Sequence, residues 1–335
     1  MSKIDLILEL GNKVLNGGEI VREEALALAT VEDQELPFLL AMADRIRQQF
    51  VGDKVDLCAI VNGRSGMCSE NCAFCAQSAH HKADISVYPL LSADELVAAA
   101  KQAQDGGALR FSIVTSGRGV DGDNDFPQII AALERIKKET KLMVCASLGT
   151  LTLERAKALK AAGVGRYHHN IESSRSFYPN VCTTHTYDDK AVTISTAHEA
   201  GLEVCSGGII GLGESMEDRI DMAFELKAFG VHSVPLNILN PIKGTVLAGQ
   251  PPVPPREILK TFALFRFIMP EKGIRTAGGR EVNLRDLQAI GLMGGINGML
   301  IGGYLTTGGR RYDMDLAMVK DLGLQPLSAS DTLRD

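Results

Sequence analysis

LMVCASLGTLTLERAKALKAAGVGRYHHNI, residues 142–171, contains one full unit of the pattern that decides the fold. Leu142–Ala146 is a short apolar run of the length of a buried strand. Leu153–Ala162 is amphipathic at helical spacing, and Gly163 follows where a left-handed C-cap is wanted. Arg166–Ile171 then returns to strand texture. Working outward, the same texture recurs at Val55–Val61, Leu109–Val114, Leu202–Ser206, Ser233–Ile238, Ile274–Ala277 and Gly298–Ile301. Helical segments lie between most of them: Ala93–Gln104, Gln128–Lys138, Tyr187–Ala200, Met216–Phe229 and Pro255–Ile268. Glycines at 106–107, 201 and 230 again fall just after helices. Strands that alternate with helices form parallel sheets with right-handed crossovers. Repeated eight times, they predict a closed (β/α)8 TIM-type barrel in the α/β class, with an open doubly wound sheet as the alternative.

The flanks read differently. Residues 1–50 are helical throughout, with Leu6, Leu10 and Val14 on one face, and form an N-terminal extension. The barrel is expected over residues 51–320 and a C-terminal tail over 321–335. The segment QPPVPP, Gln250–Pro255, is a loop rather than a domain boundary. At 335 residues, 45% hydrophobic and 23% charged, the chain has the balance of a globular protein, so wholesale disorder is excluded. A net charge of −6 offers no basic surplus for nucleic acid or an anionic membrane, and aromatics at 5% with no Trp speak against base stacking. The first residues lack the features of a secretory signal, and no apolar run approaches the roughly 18 residues of a membrane span. A cytoplasmic setting is expected, in which thiols stay reduced.

Seven cysteines make a poor disulfide framework. Three of them fall in CSENCAFC: Cys68, Cys72 and Cys75, spaced C-x3-C-x2-C, directly after the first strand. That places them at the C-terminal mouth of the barrel, where barrel enzymes keep their chemistry. Three thiolates do not complete a tetrahedral structural zinc site. They can hold three irons of a [4Fe–4S] cube and leave the fourth open.

The spacing, with Phe74 as the aromatic before the last cysteine, resembles the signature of the radical S-adenosylmethionine (SAM) enzymes. In that family the open iron chelates SAM, and an electron cleaves it to methionine and a 5′-deoxyadenosyl radical. Further segments narrow the likeness. VNGRSGMCSENCAFCAQSAHH, SLGTL, HHNIESS, EVCSGGIIGLGES, VPLNIL and AGGRE, in that order, resemble the biotin synthase family over roughly residues 20–325. That family inserts sulfur into dethiobiotin.

The resemblance implies a role for each of several residues. Phe74 lies against the adenine of SAM. Gly207 and Gly208, in GGIIGLGE, belong to the segment that holds its methionine part. Asn170 and Glu172 follow one strand two residues apart, and a carboxylate at Glu172 suits ribose hydroxyls; the family more typically carries Asp there. Lys190 falls where the family often shows Arg near the SAM carboxylate, and it can pair with that group but not bidentately. Asn237, a polar side chain in an apolar strand, needs a partner; the resemblance places it, with Asn170, on the ureido ring of dethiobiotin.

Cys58, Cys145 and Cys205 sit inside strands, where a lone cysteine is ordinarily a small core hydrophobe. By resemblance, Cys145 and Cys205 are two of three cysteines that hold an auxiliary [2Fe–2S] cluster, and Arg280 in AGGRE is its fourth ligand. The family's remaining cysteine is replaced by Ser112, a poorer ligand for iron. Cys58 lies on the neighbouring strand, about 4.8 Å away in a sheet, and can stand in for it. The auxiliary cluster is therefore expected on Cys58, Cys145 and Cys205, near Ser112 and Arg280, as [2Fe–2S] or something larger. Cys182, in NVCTTHTY, has no partner in view and reads as a bystander. His168 and His169 are adjacent in a strand and face opposite ways.

The expected partners are dethiobiotin, a flavodoxin or ferredoxin as electron donor, and a second copy in a homodimer, with no nucleic acid and no membrane. Rival readings are a methylornithine-synthase-like mutase or a hydrogenase maturase of the same superfamily, and an iron–sulfur scaffold or electron carrier that binds no SAM.

Overall fold

The computed structural model of the chain describes residues 2–120 and 125–331. Three helices open it: α1 (Lys3–Leu15), α2 (Arg22–Ala29) and α3 (Leu36–Val51). Ser2 caps α1 by accepting from the Asp5 amide, while Asp5 reaches back to the Ser2 amide, which satisfies two amides that the first turn would leave bare. The apolar stripe of α1 buries Ile7, Leu10 and Val14, with Leu6 half-buried beside them. These helices pack on the outer helices of the barrel. Arg22 of α2 pairs with Glu217 and Asp221, and Gly295 admits the close approach of Ala43 on α3 to Arg266.

The strands are β1 (Lys54–Arg64), β2 (Arg110–Thr115), β3 (Met143–Ser147), β4 (Arg166–His168), β5 (Glu203–Cys205), β6 (Gly208–Ile210), β7 (Ser233–Ile238), β8 (Gly273–Thr276), β9 (Gly298–Leu300) and β10 (Gln325–Pro326). Between them run α4 (Ala93–Asp105), α5 (Asp125–Glu139), α6 (Leu153–Ala161), α7 (Tyr187–Glu199), α8 (Met216–Ala228) and α9 (Pro255–Ile268). The short α10 (Arg280–Leu284) and α11 (Gln288–Leu292) connect β8 to β9, and α12 (Tyr312–Asp321) follows.

All pairings between these strands are parallel, and β1 pairs with both β2 and β9, so the sheet closes on itself. The closed barrel is the expected architecture, and the open sheet is excluded by the β1–β9 pairing. The fifth position is filled by two short pieces, β5 and β6, both paired to β7. The break between them at Ser206–Gly207 lets the chain bend toward the mouth, where a Cβ on Gly207 would collide with the Pro235 carbonyl. Closure buries one face of every strand against the helices and turns the other toward a central chamber. No helix among the described residues is long and apolar enough to cross a membrane.

Candidate active site at the barrel mouth and floor

The chamber encloses about 1010 Å³ of free space, counting its open mouth. Its walls include Cys58, Ser112, Cys145, His168, Asn170, Glu172, Cys205, Asn237 and Arg275, and Phe74 and Tyr304 stand in the same lining. Side chains from the middle of β1, β2, β3, β4, β5, β7 and β8 thus meet in one space.

The mouth is built on the loop after β1. The Cys68 amide donates to the Gln77 carbonyl, the Cys68 carbonyl accepts from the Ala79 amide, and the Cys75 amide donates to the Cys72 carbonyl. These bonds fold the loop back on itself and hold Cys68, Cys72 and Cys75 half-buried on one side. His81 Nδ1 lies 2.7 Å from the Cys75 carbonyl and His80 Nε2 lies 2.9 Å from that of Ser69, so both rings serve the loop backbone. Burial pushes the Cys75 thiol up to about 11. The hydrogen bond with Cys182 and burial raise the Cys72 thiol as well, and thiols disfavoured as bare thiolates fit a site whose negative charge is balanced by bound iron.

Beside this loop, Glu172 takes a left-handed backbone at φ 69, uncommon for a residue with a side chain. The reason is local. The Ile171 and Glu172 amides both donate to the Gly207 carbonyl, and Ile209 donates back to the Glu172 carbonyl. A Cβ on Gly208 would sit against that carbonyl and Met222. Gly207 and Gly208 are therefore required by the close approach of two backbones, and this contact positions Asn170 and Glu172. The Asn170 amide group donates to Glu172 Oε2 at 3.2 Å and its oxygen accepts from the Gly207 amide at 3.1 Å. Burial raises the Glu172 carboxyl, with Lys190 on α7 opposing the shift. Asn237 finds its partners in the backbone: Oδ1 accepts from Gly278 at 2.9 Å, and Nδ2 makes a long contact of 3.4 Å with the Gly208 carbonyl.

The floor holds the second set of thiols. Cys58, Cys145 and Cys205 reach it from β1, β3 and β5, close enough that each thiolate disfavours ionisation of another. Burial raises Cys58 and takes Cys145 to about 11. Cys205 is different: against its burial, the hydrogen bond from His168 and the charges of Arg275 and Arg166 bring it down to about 6. Ser112 lines the same space, and its hydroxyl has only a 3.5 Å contact with the Ile113 carbonyl. Below lies a buried Asp56 held by Arg275 at 2.7 Å, Arg110 at 3.0 Å and Arg166 at 3.6 Å. Burial disfavours the Asp56 carboxylate, but these three guanidinium groups outweigh it and hold the carboxyl well below its ordinary value. Among the described residues Arg166 Nη1 has no hydrogen-bond partner. The floor is therefore a buried cationic surface under three thiols.

Two placements depart from the sequence reading. Arg280 does not line the chamber. The left-handed turn at Gly279, φ 81, carries it onto α10, where Nη2 binds Asp315 at 2.5 Å and Nε donates to the Leu300 carbonyl. The arginine that faces the floor thiols is Arg275, on β8, which donates from Nε to Ser233 at 3.1 Å. Arg275 lies on β8, whereas Arg280 lies past the left-handed Gly279 on α10. Cys182 is also no bystander. Its sulfur lies 3.2 Å from His185 Nδ1 and 3.3 Å from Asn71 Oδ1, and it hydrogen-bonds with Cys72. Nothing in the local sequence of Cys182 reports that neighbour.

Residues 64–226 match the Radical SAM superfamily, and residues 235–325 match the Biotin and Thiamin Synthesis associated domain. Among solved structures, a methylornithine synthase superposes with a TM-score of 0.84 over 97% of this chain and 99% of that one, at 20% identity. A maturase of the [FeFe]-hydrogenase superposes with a TM-score of 0.83 over 98% of this chain and 77% of that one, at 21% identity. Such likenesses establish the shared barrel and no more. The biotin synthase of Carboxydothermus hydrogenoformans is 53% identical over 95% of this chain and 98% of its own length. That of Clostridium acetobutylicum is 52% identical over 95% and 98%. Half of all positions agree from end to end, around one closed chamber with thiols at its mouth and floor, and the chain belongs to the biotin synthase family.

Proposed function

We propose that the chain converts dethiobiotin to biotin, the last step of biotin synthesis, by inserting one sulfur between two unactivated carbons. The observation that carries this reading is a second cysteine set, Cys58, Cys145 and Cys205, on the wall of a chamber that Phe74 of the three-cysteine loop also lines. A mutase needs no sulfur donor and has no use for the second set. When bound, the [4Fe–4S] cluster and SAM supply a carbon radical that abstracts hydrogen, and the auxiliary cluster supplies sulfur.

The chain's own residues hold and orient these parts. Cys68, Cys72 and Cys75 hold the cube at the mouth. Glu172, desolvated and short of donors, accepts from the ribose hydroxyls of SAM, and Lys190 faces its carboxylate. Phe74 packs the adenine. Asn237 and Asn170 each keep an amide hydrogen for the ureido ring, because the other polar positions of Asn237 are committed to backbone and those of Asn170 to the Gly207 amide and Glu172. The auxiliary cluster, [2Fe–2S] or larger, sits on Cys58, Cys145 and Cys205, with Arg275 taking the place first given to Arg280. Ser112 marks the variation: its hydroxyl lines the same floor, and Cys58 would supply the thiolate. The continuous parallel wall keeps water and stray hydrogen donors from a radical.

An anaerobic assay with dethiobiotin, SAM and a reductant tests the reading. Biotin and 5′-deoxyadenosine should form together; deoxyadenosine formed only with another substrate would overturn it. Electron delivery by a flavodoxin or ferredoxin, a homodimer, and a reducing cytoplasmic setting belong to the same proposal. Reduction by each carrier and light scattering check the first two.

A further inference from the structure

Cys182 and His185 lie outside the three-cysteine motif, yet they complete a second donor set around Cys72. The sulfurs of Cys72 and Cys182 and a ring nitrogen of His185 all lie within 4.8 Å of one another. Cys182 Sγ to His185 Nδ1 is 3.2 Å. Donors on one zinc ion, at bond lengths of about 2.0–2.3 Å, stand roughly 3.3–3.8 Å apart, so little movement is needed. An oxygen is at hand: Glu70 Oε2 lies 2.5 Å from His185 Nδ1. The group is also built. Cys182, His185 and Glu70 are all buried. Asn71 accepts from the Thr183 and Thr184 amides at 3.0 and 3.2 Å, and Thr184 donates to Glu70 at 2.7 Å. These bonds tie the cysteine loop to the segment before α7 and fix the donors before any metal arrives.

We propose that the cluster-free chain binds one thiophilic divalent cation, zinc for preference, through Cys72, Cys182 and His185, with an oxygen of Glu70 or water in the fourth place. Two thiolates, an imidazole and an oxygen select zinc or ferrous iron over magnesium or calcium. On binding, the thiol protons of Cys72 and Cys182 and the proton between His185 Nδ1 and Glu70 leave to solvent. Because Cys72 also belongs to the cube trio, the two occupancies exclude each other. That last clause rests on the radical SAM reading; the cation site itself does not. The site then acts as a checkpoint on cluster assembly: zinc blocks it, and iron arriving there lies one ligand from its final position.

The test is an anaerobic titration of the iron-free full-length chain with zinc alone, read by chelator competition and by X-ray absorption at the zinc edge. One equivalent should bind with two sulfurs and one imidazole nitrogen. Cys182→Ala and His185→Ala should each weaken it by at least about tenfold, while Cys68→Ala and Cys75→Ala leave it intact. Cys182→Ser, which keeps the hydrogen bonds, should weaken it as well, and guards against a folding defect in the alanine variant. Zinc added before iron and sulfide should slow cube formation in the parent and not in Cys182→Ala. The reverse pattern, in which Cys68→Ala or Cys75→Ala abolishes zinc binding and Cys182→Ala does not, would place the ion on the cube thiols and overturn the proposal. The Cys182→Ala cube can be scored for SAM cleavage separately, so failure of the functional reading is distinguishable from failure of this one.

Discussion

The mouth and the floor of the chamber hold three cysteines each, and they are built on opposite principles. At the mouth, Cys68, Cys72 and Cys75 share one short loop shaped by its own backbone hydrogen bonds. Their convergence is local, and in the proposed function a cube on these three thiols would keep one iron free of protein ligands. At the floor, Cys58, Cys145 and Cys205 come from three strands, and only closure of the barrel brings them together. There the thiols stand over a buried cationic base of Arg110, Arg166 and Arg275 on Asp56. A loop can be read from spacing; a floor needs register.

The comparison breaks most sharply at the mouth. Cys72→Ala should abolish the cube and all SAM cleavage, measured as loss of the cluster's visible absorption and of 5′-deoxyadenosine. Cys58→Ala should keep the cube and SAM cleavage but lose the auxiliary cluster, seen as a drop in iron count and a missing Mössbauer component. Full retention of that component would remove Cys58 from the ligand set.

The floor is tested through its charge. Asp56→Asn leaves three buried guanidinium groups without their carboxylate and should cost about 3–5 kcal/mol in urea denaturation. The Asp56 carboxyl is held below its unfolded value of about 3.9. Its contribution is thus complete above about pH 4 and fades as pH falls toward the folded value. Asp56→Asn should flatten the acid limb of the stability profile and leave neutral-pH behaviour parallel to the parent.

Two arginines sharpen the same contrast. Arg280→Ala strands the fully buried Asp315, which keeps only a 3.6 Å contact with Arg310. It should cost about 3 kcal/mol while leaving the auxiliary spectrum unchanged. Arg275→Ala should change that spectrum. The smallest effect belongs to Ser112→Ala: with one long contact to lose, it should shift stability by less than about 1 kcal/mol and leave iron content intact. A lost auxiliary cluster in that variant would make Ser112 a ligand.

The convergence of Cys58, Cys145 and Cys205 was implied only by the family resemblance; the residues alone carried the alternation of eight strands with helices and the three-cysteine loop. These depend on periodicity and local spacing, which a linear chain displays. Tertiary structure alone chose Arg275 over Arg280, because five residues and one left-handed glycine separate a side chain facing the chamber from one facing Asp315. It alone set Cys182 and His185 beside Cys72, since that contact joins the loop after β1 to the segment before α7, and contacts between distant segments leave no trace in the order of neighbouring residues.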